Sequence, residues 1–276
     1  MIFVFKKWDA FCKRLSNECL KSIPAREIKP DMKKYVVLKH DVETDVARAL
    51  EMAKIEYKYG HRGSYYVQAY LMSDAKNVDM LKEMQKMGHE ISYHYDVMDS
   101  SKGDLEKAIA EFDLNVKIFE ENGFELKTLC QHGNPIVERV GYTSNRDFFR
   151  SEKVQCLYPE LSDIMVDFKR KYETDYLYFS DAGRHFQLIY DPLNNDVIKS
   201  DDKNILYKDT DELFKALSSD EGNIISTHPH RWTKSACLYV VKTFLFKVVK
   251  TVAKILIKIP FMKKVMSKYY YLAKKI

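Results

Sequence analysis

The chain has 276 residues, 46% hydrophobic and 31% charged, with only 9 Gly and 7 Pro. That length buries a sizeable core as one α/β domain, and the composition excludes a disordered or collagen-like chain. The formal charge of +5 is uneven: residues 236–276 hold ten Lys and no acid, leaving the body mildly acidic, whereas a nucleic-acid-binding globule spreads its basic residues over the fold.

Five cysteines are scattered without a CxxC pair, which suggests a reducing compartment. The N-terminus reaches Lys6 after too few apolar residues for a signal peptide, so the expectation is cytoplasmic synthesis without secretion. The 19 tyrosines suit either a sugar cleft or a core.

Hydrophobic periodicity predicts a strand near Tyr35 to His40, then a helix from about Thr44 to Tyr59 with Val46, Leu50, Ala53 and Tyr57 on one face. Gly60 ends that helix. Ser64 to Gln68 reads as a strand, and a helix near Asn77 to Met87 leads through Gly88 into the strand His89 to His94. Leu105, Ile109, Phe112, Val116 and Phe119 form the stripe of an amphipathic helix stopping at Gly123, before a strand over Leu126 to Gln131. Later strands are expected at Tyr176 to Ser180, Ile205 to Lys208 and Asn223 to Thr227, with a helix from about Asp211 to Leu217. Strands alternating with helices imply a mainly parallel sheet, and neither a GxGxxG nor a GxxxxGK[ST] loop is present.

Four strands end in polar residues: His40-Asp41-Val42-Glu43, His94-Tyr95-Asp96, Gln131-His132-Gly133 and Thr227-His228-Pro229-His230. Parallel α/β folds bring the carboxyl ends of strands to one rim, where such residues become neighbours. Asp41 and Glu43, two apart in extended chain, point together, while His40 and Val42 point away. One carboxylate can then ligate a divalent cation and the other accept a proton from a water that the ion acidifies; capping of the following helix can fall instead to Thr44 or Asp45.

Leu38-Lys39-His40-Asp41-Val42-Glu43, Gly88-His89-Glu90-Ile91-Ser92-Tyr93-His94-Tyr95-Asp96, Tyr178-Phe179-Ser180-Asp181-Ala182-Gly183-Arg184 and Ser226-Thr227-His228-Pro229 resemble successive motifs of the polysaccharide deacetylase family. The likeness is to the branch whose first motif reads His-Asp-Val-Asp, and it covers roughly residues 34–232. The resemblance implies a distorted (β/α)7 barrel over residues 1–235 and hydrolysis of an N- or O-acetyl group from a sugar. It implies Asp41 as catalytic base, His94 as a metal ligand, His228 as the acid that protonates the leaving group, and Asp181 as an orienting acid. Position 42 is valine where the commonest first motif has a second aspartate, so that ligand role falls to Glu43. Position 98 is methionine where the second motif usually has another histidine, and His132, before Gly133-Asn134-Pro135, is the candidate replacement. The expected cofactor is one divalent ion, zinc. Arg184 and Trp232 are candidates for binding the sugar, as hydroxyl donor and stacking platform. His89 is expected outside the ligand set, and His61 and His185 in surface or packing roles. His230 shares a face with His228 only if the strand runs through Pro229, which proline opposes.

From Val240 to Ile259 the tail is apolar apart from two threonines and Lys242, Lys247, Lys250, Lys254 and Lys258. At about 100° per residue these lysines fall in an arc of roughly 160° opposite a broad apolar face. Spanning a bilayer would bury all five, so residues 236–276 are expected to lie as a cationic amphipathic helix on an anionic membrane, interrupted at Pro260. The first reading is thus a carbohydrate deacetylase held at the cytoplasmic face of a membrane, active in surface polysaccharide synthesis. Two alternatives are a catalytically silent protein of the same fold that binds glycan or acts as a scaffold, and a metal-dependent amidohydrolase acting on a small non-sugar amide.

Overall fold

The computed structural model describes residues 2–134, 137–197 and 205–256. Its strands are β1 (Val36–Val42), β2 (Ser64–Val67), β3 (Glu90–Tyr95), β4 (Thr128–Gln131), β5 (Ser162–Asp163), β6 (Tyr176–Ser180), β7 (Phe186–Ile189), β8 (Leu206–Tyr207) and β9 (Gly222–Thr227). They form one nine-stranded sheet in the order β5-β4-β3-β2-β1-β9-β6-β7-β8. Pairing is parallel from β5 through β6, and β7 and β8 then add antiparallel to β6. Among the described residues the ladder is not closed, because β5 and β8 remain its ends.

The helices are α1 (Phe5–Asn17), α2 (Val46–Lys58), α3 (Ala75–Lys86), α4 (Val97–Ser100), α5 (Leu105–Glu121), α6 (Asp147–Arg150), α7 (Glu152–Leu157), α8 (Phe168–Lys171), α9 (Thr210–Lys215) and α10 (Ala236–Leu256). The expected alternation is present, with boundaries shifted by a few residues. Every residue of β1, β2, β3 and β9 is buried, as covering both faces of a parallel strand demands. Gly88, at φ +90°, supplies the left-handed turn from α3 into β3.

Alternation along β1 divides the core. Val36 and Leu38 pack with α1 and Trp232, whereas Val37 packs with Tyr66, Cys130, Tyr178 and Ile224 on the opposite face. Lys39 and Asp41 continue that second face as a buried ion pair, while His40 turns to the first. There the Glu56 carboxylate accepts hydrogen bonds from Trp8 Nε1 at 3.0 Å and Tyr65 Oη at 2.9 Å, and lies 2.9 Å from His40 Nε2. His89 accepts from the Gly63 amide and His61 from the Ser22 amide, so both act in packing.

One sequence expectation needs correction. Tyr57 is not on the buried face of α2, being 57% exposed; Ala49, Met52 and Glu56 are buried there instead, because α1 and β1 pack against that side. Helix α1 was not anticipated, although Trp8, Phe11, Cys12 and Leu15 fall at helical spacing and are buried. Helix α10 starts at Ala236, where the expected tail segment begins, and Tyr239 in its first turn is buried beside Phe3. Residues 257–276, with Lys258, Pro260 and the last lysines and tyrosines, lie outside the described residues, as does Pro135.

Candidate metal centre

The rim at the carboxyl ends of β1, β3, β4 and β9 gathers the chemically competent side chains. Asp45, not Asp41 or Glu43, caps α2, its Oδ1 accepting from the Arg48 amide at 3.1 Å. Asp41 and Glu43 are thereby left to the rim, both buried.

His94, on β3, donates from Nδ1 to the Cys130 carbonyl at 3.0 Å. The carbonyl can only accept, so the bond fixes the tautomer and leaves Nε2 as the ligand atom. Burial, opposed by Asp41 and Glu43, pulls the His94 pKa down to about 4, which keeps the imidazole neutral and metal-competent at pH 7. His132 follows β4; its amide donates to the Tyr95 carbonyl at 2.7 Å and its carbonyl accepts from Asn145 at 2.8 Å. These bonds set its ring 5.1 Å from that of His94, with Nδ1 3.6 Å from Glu43 Oε1. One donor atom from each of Glu43, His94 and His132 falls within 4.8 Å of the others. A carboxylate and two imidazoles so placed are a donor set that fits zinc or another borderline divalent ion.

Asp41, His94 and Cys130 make a second group of the same span. Its chemistry is poorer. Burial pushes the Cys130 thiol well above its ordinary value, and Lys39 already sits 2.5 Å from Asp41 Oδ1.

Burial alone would raise the Asp41 pKa, but Lys39, His94 and His228 outweigh it and hold the carboxyl well below its usual range. Its Oδ2 lies 3.8 Å from His228 Nε2. His228 presents that nitrogen because its Nδ1 is 2.5 Å from Asp181 Oδ1, while its backbone amide donates to Asp181 Oδ2 at 3.0 Å. Arg231 completes the support, donating to the same carboxylate at 2.8 Å. Despite burial, Arg231 and His228 hold Asp181 below the ordinary carboxylate value.

The structure thus brings together Asp41, Glu43, His94, His132, Asp181 and His228. His230 joins them because the chain leaves β9 and turns through a 3-10 segment, Pro229–Arg231; its Nδ1 lies 3.9 Å from Glu43 Oε2. The two residues expected to bind the sugar both contact other parts of the chain. Trp232 is fully buried, with Phe3 and Trp8 rings 4.9 and 5.2 Å away, so it anchors the core and offers no face to a sugar. Arg184 turns to α10, donating to Thr243 Oγ1 at 3.2 Å. Sequence reasoning passed over Lys39, whose position two residues before Asp41 places it on the same strand face. Arg231 carried no signal, since only the turn after β9 returns it to Asp181. Comparison with protein-family models, with curated proteins and with solved structures gives no match to this chain.

Proposed function

We propose that this protein is a metal-dependent hydrolase that removes an acetyl group from a sugar. The observation that carries the reading is the convergence of Glu43, His94 and His132 beside Asp41 and the His228–Asp181 pair. A divalent cation held by those three residues would supply Lewis acidity and acidify a water. Asp41, kept ionised by Lys39, takes up the proton from the attacking water. His228, oriented through Nδ1 by Asp181, delivers a proton from Nε2 to the departing nitrogen or oxygen.

The silent reading drew on Val42 and Met98. Neither offers a ligand atom and both are buried in an apolar cluster, so the candidate centre relies on Glu43 and His132 in their place. The barrel reading is kept as part of this proposal. Seven strands run parallel in order from β5 to β6, and Tyr176 Oη on β6 donates to the Ile164 carbonyl just after β5 at 3.2 Å, linking the two ends of that run.

The same proposal places the protein on an anionic membrane surface through α10. Val240, Val241, Phe244, Leu245 and Val248 are exposed on it, among lysines and without an acid. No helix among the described residues is long and apolar enough to cross a membrane.

The test is metal analysis of the purified full chain together with acetate release from acetylated sugars and from acyclic amides. One bound divalent ion with turnover of sugars alone supports the reading. No metal after dialysis against zinc favours the silent protein, and turnover of acyclic amides favours the small-amide hydrolase.

A further inference from the structure

Pro229 turns the chain out of β9, and the 3-10 segment that follows is held from two sides. The Arg231 amide donates to the His228 carbonyl and the Trp232 amide to the Pro229 carbonyl, each at 3.0 Å. Arg48, in the first turn of α2, donates through Nη1 to the His230 carbonyl, while its Nε is held by Asp45 Oδ2 at 3.0 Å. Residues that follow Glu43 closely in sequence thus fix the main chain of His230.

The ring placed this way has no part in the reaction described above. Its Nδ1 is buried and makes no hydrogen bond among the described residues. A buried polar nitrogen left in that state is costly unless a partner comes to it. The acceptor it faces is Glu43. His230 Nδ1 lies 3.9 Å from Oε2 of that carboxylate, whereas His132 Nδ1 lies 3.6 Å from Oε1. Each imidazole therefore addresses a different oxygen. His132 shares its 4.8 Å donor group with Glu43 and His94, and His230 stands outside it.

Resting on the metal-centre reading above, we propose that His230 is a positioning residue, whose Nδ1–H donates to Glu43 Oε2 when Oε1 binds the divalent cation. Closing 3.9 Å to an ordinary N–H···O length takes about 1 Å of side-chain movement. The neutral Nδ1–H tautomer and the imidazolium both supply that donor. Glutamate has a longer side chain than aspartate and more rotamers to lose when it ligates an ion. A donor on the oxygen that does not ligate selects one of those rotamers, as hydrogen bonds to ligating carboxylates do in metal sites generally. It also keeps Glu43 bound through a single oxygen, which leaves a coordination position open for water or substrate.

The test is zinc affinity of the full chain, measured by competition with a chelator, in three variants at position 230. His230→Ala should weaken zinc by about 10- to 100-fold, the usual loss when a partner of a metal ligand is removed. His230→Asn places an amide N–H near the position of Nδ1 and should hold affinity to within a few fold. His230→Gln carries its amide one atom further, near the position of Nε2, and should weaken zinc as Ala does. Asn and Gln are both polar amides, so their contrast decides the matter even where His230→Ala does not fold. Affinity unchanged in the Ala and Gln variants overturns the proposal. Affinity lost equally in all three also overturns it, because an amide N–H cannot replace an imidazole that ligates the ion. Acetate release is measured in parallel. Zinc that depends on position 230 as expected, without release from any acetylated sugar, sinks the hydrolase reading alone. Zinc and release that are both indifferent to position 230 sink the positioning role alone, and an unsubstituted chain that takes up no zinc sinks both.

Discussion

Lys39 Nζ lies 2.5 Å from Asp41 Oδ1, with 1% of the lysine side chain and 10% of the aspartate side chain exposed. Two residues apart on β1, they point to the same face, and Lys39 Nζ also reaches Ser226 Oγ on β9 at 3.3 Å. Breaking a buried ion pair from one side strands the other charge, which typically costs about 3–5 kcal/mol. Lys39→Met should therefore lower the melting temperature sharply and abolish turnover. The double variant Lys39→Met with Asp41→Asn should regain most of the stability but none of the activity. Thermal melts that show no such recovery would mean the pair does not act as a unit.

The two overlapping donor groups make opposite forecasts for metal binding. With Glu43, His94 and His132 as ligands, His94→Ala and His132→Ala should each remove stoichiometric zinc, whereas Cys130→Ser should leave affinity within a few fold. Cadmium titration offers a second readout, because a thiolate ligand strongly favours the softer ion. Loss of zinc in Cys130→Ser with retention in His132→Ala would transfer the site to the other group. Asp41→Asn should keep zinc within a few fold while losing turnover.

His228 takes its orientation from Asp181 through two hydrogen bonds. Asp181→Asn cannot support the same imidazolium, so kcat should fall by about 10²-fold or more, within the range ascribed to general acids, with KM little changed. The loss should be larger for amides than for activated esters, whose leaving groups need no proton. Equal losses on both would make the His228–Asp181 pair a binding element.

Asp163, at the end of β5, is pushed up to about 7 by burial, with the nearby Asp167 adding to the shift. The folded chain thus holds its proton up to near pH 7, while the unfolded chain releases it near 3.8. The contribution of this group to stability is complete below about pH 4 and declines toward pH 7, with a slope of at most about 1.4 kcal/mol per unit. Asp163→Asn keeps an acceptor for the Met165 amide and removes the titration, so its denaturation midpoint should decline less between pH 4 and 7. An unchanged pH profile would assign that decline to other groups.

For the tail, the informative truncation ends at Thr243, because Tyr239 is buried beside Phe3 and Arg184 holds Thr243. The full chain should float with vesicles containing anionic lipid, less so as salt rises, since the lysine attraction is screened over a Debye length of about 8 Å at physiological ionic strength. The shortened chain should stay folded and lose the vesicles. Binding retained by the truncated chain, or absent from the full chain at low salt, would withdraw the membrane assignment.

Some features of this protein follow from local chemistry and are legible in the linear chain. The alternation of strands and helices follows from hydrophobic periodicity and turn residues, and period-2 geometry separates Asp41 and Glu43 from His40 before any contact is known. Parallel strands end on one rim, so the polar ends of β1, β3, β4 and β9 are expected together. Other features needed the fold because they depend on which distant segments meet. His40, beside Asp41 in sequence, belongs to the Glu56 cluster on the other side of the sheet because α1 and α2 pack there. Trp232 and Tyr239 are core residues because the N-terminal segment bridges to Thr233 and sets Phe3 against both. His230 and Arg231 reach the site through a turn that strand periodicity opposes. Periodicity sorts residues onto faces; the burial of one face against a remote segment decides which of them bear chemistry.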